Sequence, residues 1–273
     1  MNDFLTFMGP PTAACFLLAV IFTYFGCHVL KREIIFIDLS LAQLAALGTT
    51  LAFTLEIEPD SPGSLALSFL FVVAGSAFFS CTRNLSKSIP QEAVIGIVYV
   101  VSASVALLLL SQVSHGAEHL KALLNGSILW VSWGGVLKIF GITLLVGALH
   151  WKKRKQFIEQ SKTYRKRIKG NPRDGFLDFL FFLTLGLVIV VSVKTAGVFL
   201  IFTLLIIPAV CGALFSHSMV KQFIFGSVLG IVISLAGLLL SFFLDLPTGA
   251  TLVCSFGTAF LASLLLRRIK PSV

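Results

Sequence analysis

The stretch WKKRKQFIEQSKTYRKRIKGNPR, residues 151–173, carries ten Lys and Arg residues against one acid, Glu159, and lies between two long apolar runs. Those runs, about 130–150 and 175–193, each have the roughly 20 apolar residues that a helix needs to cross the hydrocarbon of a bilayer. Moving outward in both directions, the same kind of segment recurs at about 12–30, 34–55, 64–82, 91–112, 197–215, 222–243 and 249–266. Eighteen of the 21 Lys and Arg residues fall at one set of alternate segment ends: Lys31 and Arg32, Arg83 and Lys87, the 151–173 stretch, Lys221, and the Arg267-Arg268-Ile269-Lys270 tail. Basic loops are retained in the cytoplasm, so this asymmetry sets the expected orientation, with the amino terminus outside and the carboxyl terminus inside. Glu56, Glu58, Asp60, Glu118 and Asp245 fall on the opposite face, with Lys121 and Lys194. The expected fold class is an all-α integral membrane protein, a polytopic bundle of eight or nine transmembrane helices. Nine spans follow if every segment crosses, eight if one is re-entrant.

Composition excludes other classes. Hydrophobic residues make up 57% of the chain and charged residues only 12%, a balance outside the globular range. The net charge of +9 sits in short loops between apolar runs, which fits a cytoplasmic rim beside anionic lipid and gives no footprint for nucleic acid. The first ten residues lack Lys and Arg, so no cleavable signal peptide is expected. Cys15, Cys27, Cys81, Cys211 and Cys254 have no C-x-x-C spacing and read as small hydrophobes rather than a disulfide set or metal site. Residues 1–273 are expected to form a single membrane domain.

Residues 113–129 are too polar to span. Ser114 as an N-cap and Asn125-Gly126 as a stop predict a short surface helix over about 114–126 on the extracytoplasmic side. It places His115, Glu118 and His119 on one face, a spacing suited to a divalent metal at an entrance. H-x-x-E-H is also a peptidase signature in which the Glu activates metal-bound water. That chemistry needs a third ligand on the same side, and the next acid, Glu159, lies in the cytoplasmic loop. The remaining alternative is a solvated polar helix. In the seventh segment, Pro208 removes a helix hydrogen bond, which suits a helix that lines a cavity or moves, but prolines are also simply tolerated in membrane helices.

Four stretches in register bring a resemblance into view. Ser192-Val-Lys-Thr-Ala-Gly-Val-Phe-Leu-Ile-Phe-Thr-Leu-Leu-Ile-Ile-Pro-Ala resembles a segment of the permease subunits of bacterial zinc, manganese or iron ABC importers. Asp245-Leu-Pro-Thr-Gly-Ala, Leu123-Leu-Asn-Gly-Ser-Ile-Leu-Trp-Val-Ser and Ala93-Val-Ile-Gly-Ile-Val-Tyr are similar to three further segments of that family, and the likeness covers about 13–266. It implies a permease in the bacterial inner membrane that works by alternating access as a homodimer or heterodimer with a second permease copy. It further implies a cytoplasmic ABC ATPase and an extracytoplasmic metal-binding protein. The cargo would be a divalent metal ion, with no permanently bound cofactor. The chain has no G-x-x-x-x-G-K-[ST] loop, so it is expected to be no enzyme, ATP hydrolysis belonging to another polypeptide. The 151–173 loop occupies the family's ATPase-docking position. The segment from Phe157 to Lys169 is the expected contact, a short helix presenting Phe157, Ile158, Tyr164, Arg165 and Lys169; the alternative is a loop that only anchors to anionic lipid.

The second span departs from the family. The resemblance implies an Asp and a His four residues apart there, as in many members of the family, whereas Gln43 stands in the His position. Asp38 and Gln43 lie about 140° apart on a helix and cannot chelate one ion together. Ser40, Gln43, Thr50 and Thr54 instead fall within about 80° of one another, a weakly polar face suited to a translocation path with Pro208. Asp38 is either a path residue, as intramembrane acids commonly are, or a partner for Lys31 or Arg32. Two rival classes stay open: an ATP-independent secondary transporter or channel, and a membrane metallopeptidase built on His115, Glu118 and His119.

Overall fold

The structure is a computed structural model that describes residues 2–58, 61–83, 89–111, 124, 126–165 and 172–269. Ten α-helices occur among the described residues, with no strand: α1 (Asn2–Arg32), α2 (Ile37–Thr54), α3 (Pro62–Thr82), α4 (Gln91–Leu110), α5 (Trp133–Lys152), α6 (Arg154–Arg165), α7 (Pro172–Ala196), α8 (Val198–Phe215), α9 (Met219–Leu244) and α10 (Thr248–Ile269). All but α6 are long and apolar enough to cross a membrane, giving nine candidate spans in the expected positions. The expected all-α polytopic architecture is therefore present. Of the expected surface helix over 114–126, residues 114–123 and 125 lie outside the described residues; Ile128–Trp130 form a short 3₁₀ turn.

Local chemistry sets the ends of these helices. Ser61 caps α3 by accepting the Ser64 N–H, and Pro62 follows in the first helical position, where its missing donor costs nothing. Asp245 closes α9 in the left-handed conformation, φ 50°, while the Leu246 N–H returns to the Ser241 carbonyl. α5 and α6 are separated only by a turn at Lys153, so the basic segment begins folding back as soon as the fifth span ends.

The chain divides into two compact units. One comprises Met1–Leu30, Leu124–Leu144 and Lys194–Val273. Within it, Gly26 brings α1 against α8 so closely that a Cβ there would overlap the Leu205 carbonyl. Gly126 and Gly197, both at positive φ, stack the 126–131 turn on the α7–α8 junction, and the Ser127 N–H donates to the Thr195 carbonyl at 2.9 Å. Two of the stretches that carry the family resemblance thus meet in space.

The other unit comprises Lys31–Leu123 and Leu145–Val193. Here α2 is enclosed by its neighbours, with Gly48 against the Ser68 backbone of α3 and the Thr49 and Ser68 hydroxyls bonded at 2.6 Å. Gly186 of α7 lies against Val72 of α3 and Leu41 of α2. Side-chain bonds join the end of α1, the end of α3, the start of α4, α6 and the start of α7. All these termini therefore share one end of the unit, the relation that the alternation of basic ends requires.

Candidate functional site

At that shared end the side chains build a buried ionic cluster around Asp178. Its Oδ1 accepts from Arg32 Nη1 at 2.8 Å and from Gln160 Nε2 at 2.7 Å, and its Oδ2 accepts from Arg83 Nη1. Arg32 and Asp178 are both fully enclosed. The Arg32 Nε also donates to the Ser161 hydroxyl at 3.1 Å, and its guanidinium lies 3.9 Å from the Phe181 ring centroid. Two cations share one carboxylate, and the aromatic rings of Phe181 and Tyr164 take part of the remaining charge, with the Arg83 guanidinium 4.7 Å from the Tyr164 centroid. Asp178 is not among the expected site residues; Arg32 is expected as a basic segment end and as a possible partner for Asp38. The structure gives Arg32 to Asp178 instead, 146 residues away along the chain.

The helix α6 has two faces. Phe157, Gln160, Ser161 and Tyr164 follow the i, i+3, i+4, i+7 spacing of one helical stripe, and all four are buried. Phe157 stacks on the His150 ring with centroids 4.1 Å apart, and His150 Nε2 hydrogen bonds the Thr184 hydroxyl at 2.8 Å. The opposite face, Arg154, Lys155, Gln156, Glu159 and Lys162, is exposed. A short helix covers residues 157–165 of the expected Phe157–Lys169 segment, but the presentation is corrected: Phe157 and Tyr164 point into their own chain because they are the apolar members of an amphipathic stripe. Ile158 is half-buried. Of Arg165 only the backbone is described, and Lys169 lies outside the described residues.

Tyr164 ties α6 further. Its hydroxyl donates to Gln91 Oε1 at 2.7 Å, and Gln91 Nε2 donates to the Phe79 carbonyl at 2.8 Å. Burial pushes this phenol well above its ordinary pKa, the Asp178 charge adds to the shift, and the two guanidiniums oppose it. The hydroxyl is therefore a fixed donor at any physiological pH.

On α2, Asp38, Ser40, Gln43 and Thr50 are buried, and Thr54 at its end is half-buried and donates to the Leu51 carbonyl. Neither Asp38 carboxylate oxygen has a hydrogen-bond partner among the described residues, nor does the Ser40 hydroxyl. One turn away, the Phe36 N–H donates to Glu92 Oε1 at 3.0 Å, which fixes the entry to α2 against the start of α4. In the other unit, Pro208 packs into the α1–α8–α9 junction, its carbonyl against Gly226 and its ring beside Gly230. Among the described residues no group of three or more His, Cys, Asp or Glu residues gathers to hold a metal. His115, Glu118 and His119 lie outside the described residues.

Asp178 carried a sequence signal that went unused: an acid four residues after Asp174, in the opening turns of an apolar helix whose start shares the side of the basic ends. The stripe in α6 is equally visible in sequence once the polar Gln160 and Ser161 are counted with Phe157 and Tyr164 at i, i+3, i+4 and i+7.

The sequence profile of the ABC 3 transport family matches residues 5–267. A probable metal transport system membrane protein of Chlamydia trachomatis is 25% identical over 95% of this chain and 88% of its own length. The chelated iron transport system membrane protein YfeD of Yersinia pestis is 27% identical over 97% of this chain and 87% of its own. The manganese transport system membrane protein MntB of Synechocystis is 27% identical over 80% and 69%. Among solved structures, PsaBC from Streptococcus pneumoniae in complex with Fab shares the fold, with a TM-score of 0.77 at 21% identity, covering 96% of this chain and 93% of that one.

Proposed function

The chain belongs to the ABC 3 transport family as a membrane permease of the metal-importer type, and on that premise we propose that it forms the passage for a divalent transition-metal ion, driven by an ATPase on another polypeptide. The observation that carries this reading is the family match across residues 5–267, which takes in all nine candidate spans but for the last residue of the ninth. In the assembly two permease copies bound the path, an extracytoplasmic binding protein delivers the ion, and the basic ends face the cytoplasm of a bacterial cell.

The path is assigned to the polar face of α2. Asp38 is an enclosed acid of that helix to which no side chain bonds among the described residues, and acids inside membrane spans commonly mark ion paths. Ser40, Gln43, Thr50 and Thr54 continue the face with oxygen donors. Oxygen-type coordination, with Gln43 where relatives have His, weights manganese and iron above zinc. Binding along such a path has to be weak enough for release, which a single acid among neutral oxygens provides. His115, Glu118 and His119 are assigned to first contact at the entrance, and Pro208 to the point where α8 bends during the cycle.

The exposed face of α6 is assigned to the ATPase. Arg154, Lys155 and Lys162 suit an acidic cleft on that partner. The test is uptake into vesicles that hold the permease with and without its ATPase. Manganese should enter only with ATP and both proteins, and iron should compete better than zinc. Uptake by the permease alone would instead establish a secondary transporter or channel.

A further inference from the structure

Gln91 and Glu92 are consecutive residues at the start of α4, and they hold different elements. Gln91 accepts the Tyr164 hydroxyl of α6 at 2.7 Å. Glu92 accepts the Phe36 N–H at 3.0 Å, in the turn that leads into α2 two residues before Asp38. The chain of contacts runs from the helix with the exposed cationic face, through two adjacent residues of α4, to the turn that precedes the buried acid Asp38.

We propose that Gln91 and Glu92 are positioning residues that couple displacement of α6 to the entry of α2, and so to Asp38. This rests on the reading of the chain as an ATPase-driven metal permease, and names the contacts through which that drive arrives. Apolar contacts between helices are non-directional and allow sliding. A hydrogen bond from a phenol that stays protonated to a buried amide fixes both distance and direction, and the amide is itself held by the Phe79 carbonyl. The Tyr164 ring lies beneath the Arg32 and Arg83 guanidiniums, at 5.1 and 4.7 Å, so α6 cannot turn about its axis without carrying this contact with it. On the other side, Glu92 accepts a backbone donor, so a shift of the α4 start is passed to the main chain before α2 rather than absorbed in a side-chain rotamer. A path between sites is established by energetic coupling, not by adjacency. The test is therefore a double-mutant cycle.

Tyr164→Phe removes one hydroxyl and keeps the ring; Glu92→Ala removes the acceptor for Phe36. Each is reconstituted with the partner ATPase in vesicles, and manganese uptake per ATP hydrolysed is measured alongside co-purification of the ATPase and thermal unfolding. Each single change should lower uptake per ATP about tenfold while ATPase association and hydrolysis stay within about twofold of wild type. The double variant should fall about tenfold, not a hundredfold, because both changes break one chain. Glu92→Gln, whose amide oxygen still accepts the Phe36 N–H, should restore coupling to near wild type. The proposal is overturned if either single variant couples normally, if the two losses multiply, or if Glu92→Gln behaves like Glu92→Ala. Should Glu92→Ala fail to fold, Tyr164→Phe with Glu92→Gln decides: normal coupling in Tyr164→Phe overturns the proposal. A wild-type assembly that shows no ATP-dependent uptake overturns the proposed function itself, and is distinguished by that control alone.

Discussion

Arg32 and Asp178, 146 residues apart in sequence, meet as a fully enclosed ion pair with Nη1 2.8 Å from Oδ1. The pair fixes the end of the first span against the start of the sixth. Gln160 and Ser161 add the α6 helix to the same carboxylate and guanidinium. A buried ion pair contributes little net stability against a well-packed apolar alternative, but removing one partner strands the other.

Asp178→Ala should therefore cost about 3–5 kcal/mol, since it leaves two guanidiniums facing the same emptied place. Thermal unfolding in detergent reads the loss. Asp178→Asn, which keeps the acceptor oxygen, should fall short of that.

The two faces of α6 should separate by substitution. Phe157→Ala should destabilise by about 3–5 kcal/mol, because the ring is fully buried on His150. Lys155→Ala, on the exposed face, should change stability by no more than about 0.5 kcal/mol yet weaken ATPase capture. Co-purification across a salt series checks this, with wild-type binding the more salt-sensitive of the two.

Tyr164 gives a prediction in pH. Its pKa is raised in the folded chain, so the folded and unfolded states bind the proton equally below the unfolded value of about 10. Above that value the unfolded chain loses the proton first. The stabilising contribution is thus present at neutral pH and should fall by about 1.4 kcal/mol per unit as pH rises past about 10. Unfolding followed from pH 8 to 11 should show this limb in wild type and not in Tyr164→Phe.

Gly126→Val should prevent accumulation of monodisperse protein. The position has φ 65°, and an added Cβ would overlap the backbone at Ala196 and Gly197. Positive φ alone costs a β-branched residue about 1–3 kcal/mol. Gly96→Val, where an added Cβ meets nothing within 4 Å, is the control, expected to behave as wild type in size-exclusion chromatography.

Much was legible along the chain because membrane insertion is a one-dimensional problem. Runs of apolar residues and alternation of basic ends are properties of segments, so the nine candidate spans lie where hydropathy put them. The polar face of α2 was likewise a matter of residues within one helix. Arg32 was harder. The partner its sequence neighbourhood suggests is Asp38, but Asp38 sits past the turn at 33–36, and no local rule says that an arginine ends up beside an aspartate from the start of another span.

Sequence alone determined that this chain crosses a membrane many times and which ends of its segments share a side, because transfer into lipid is summed residue by residue. Only the tertiary structure decided which of those like-sided ends touch. Pairing Asp178 with Arg32 and Arg83, and turning Phe157 and Tyr164 inward, depend on where four helix termini converge in three dimensions. Desolvation makes that choice binding: inside the bundle an unmatched charge is too expensive to keep, so the packing that supplies a partner wins.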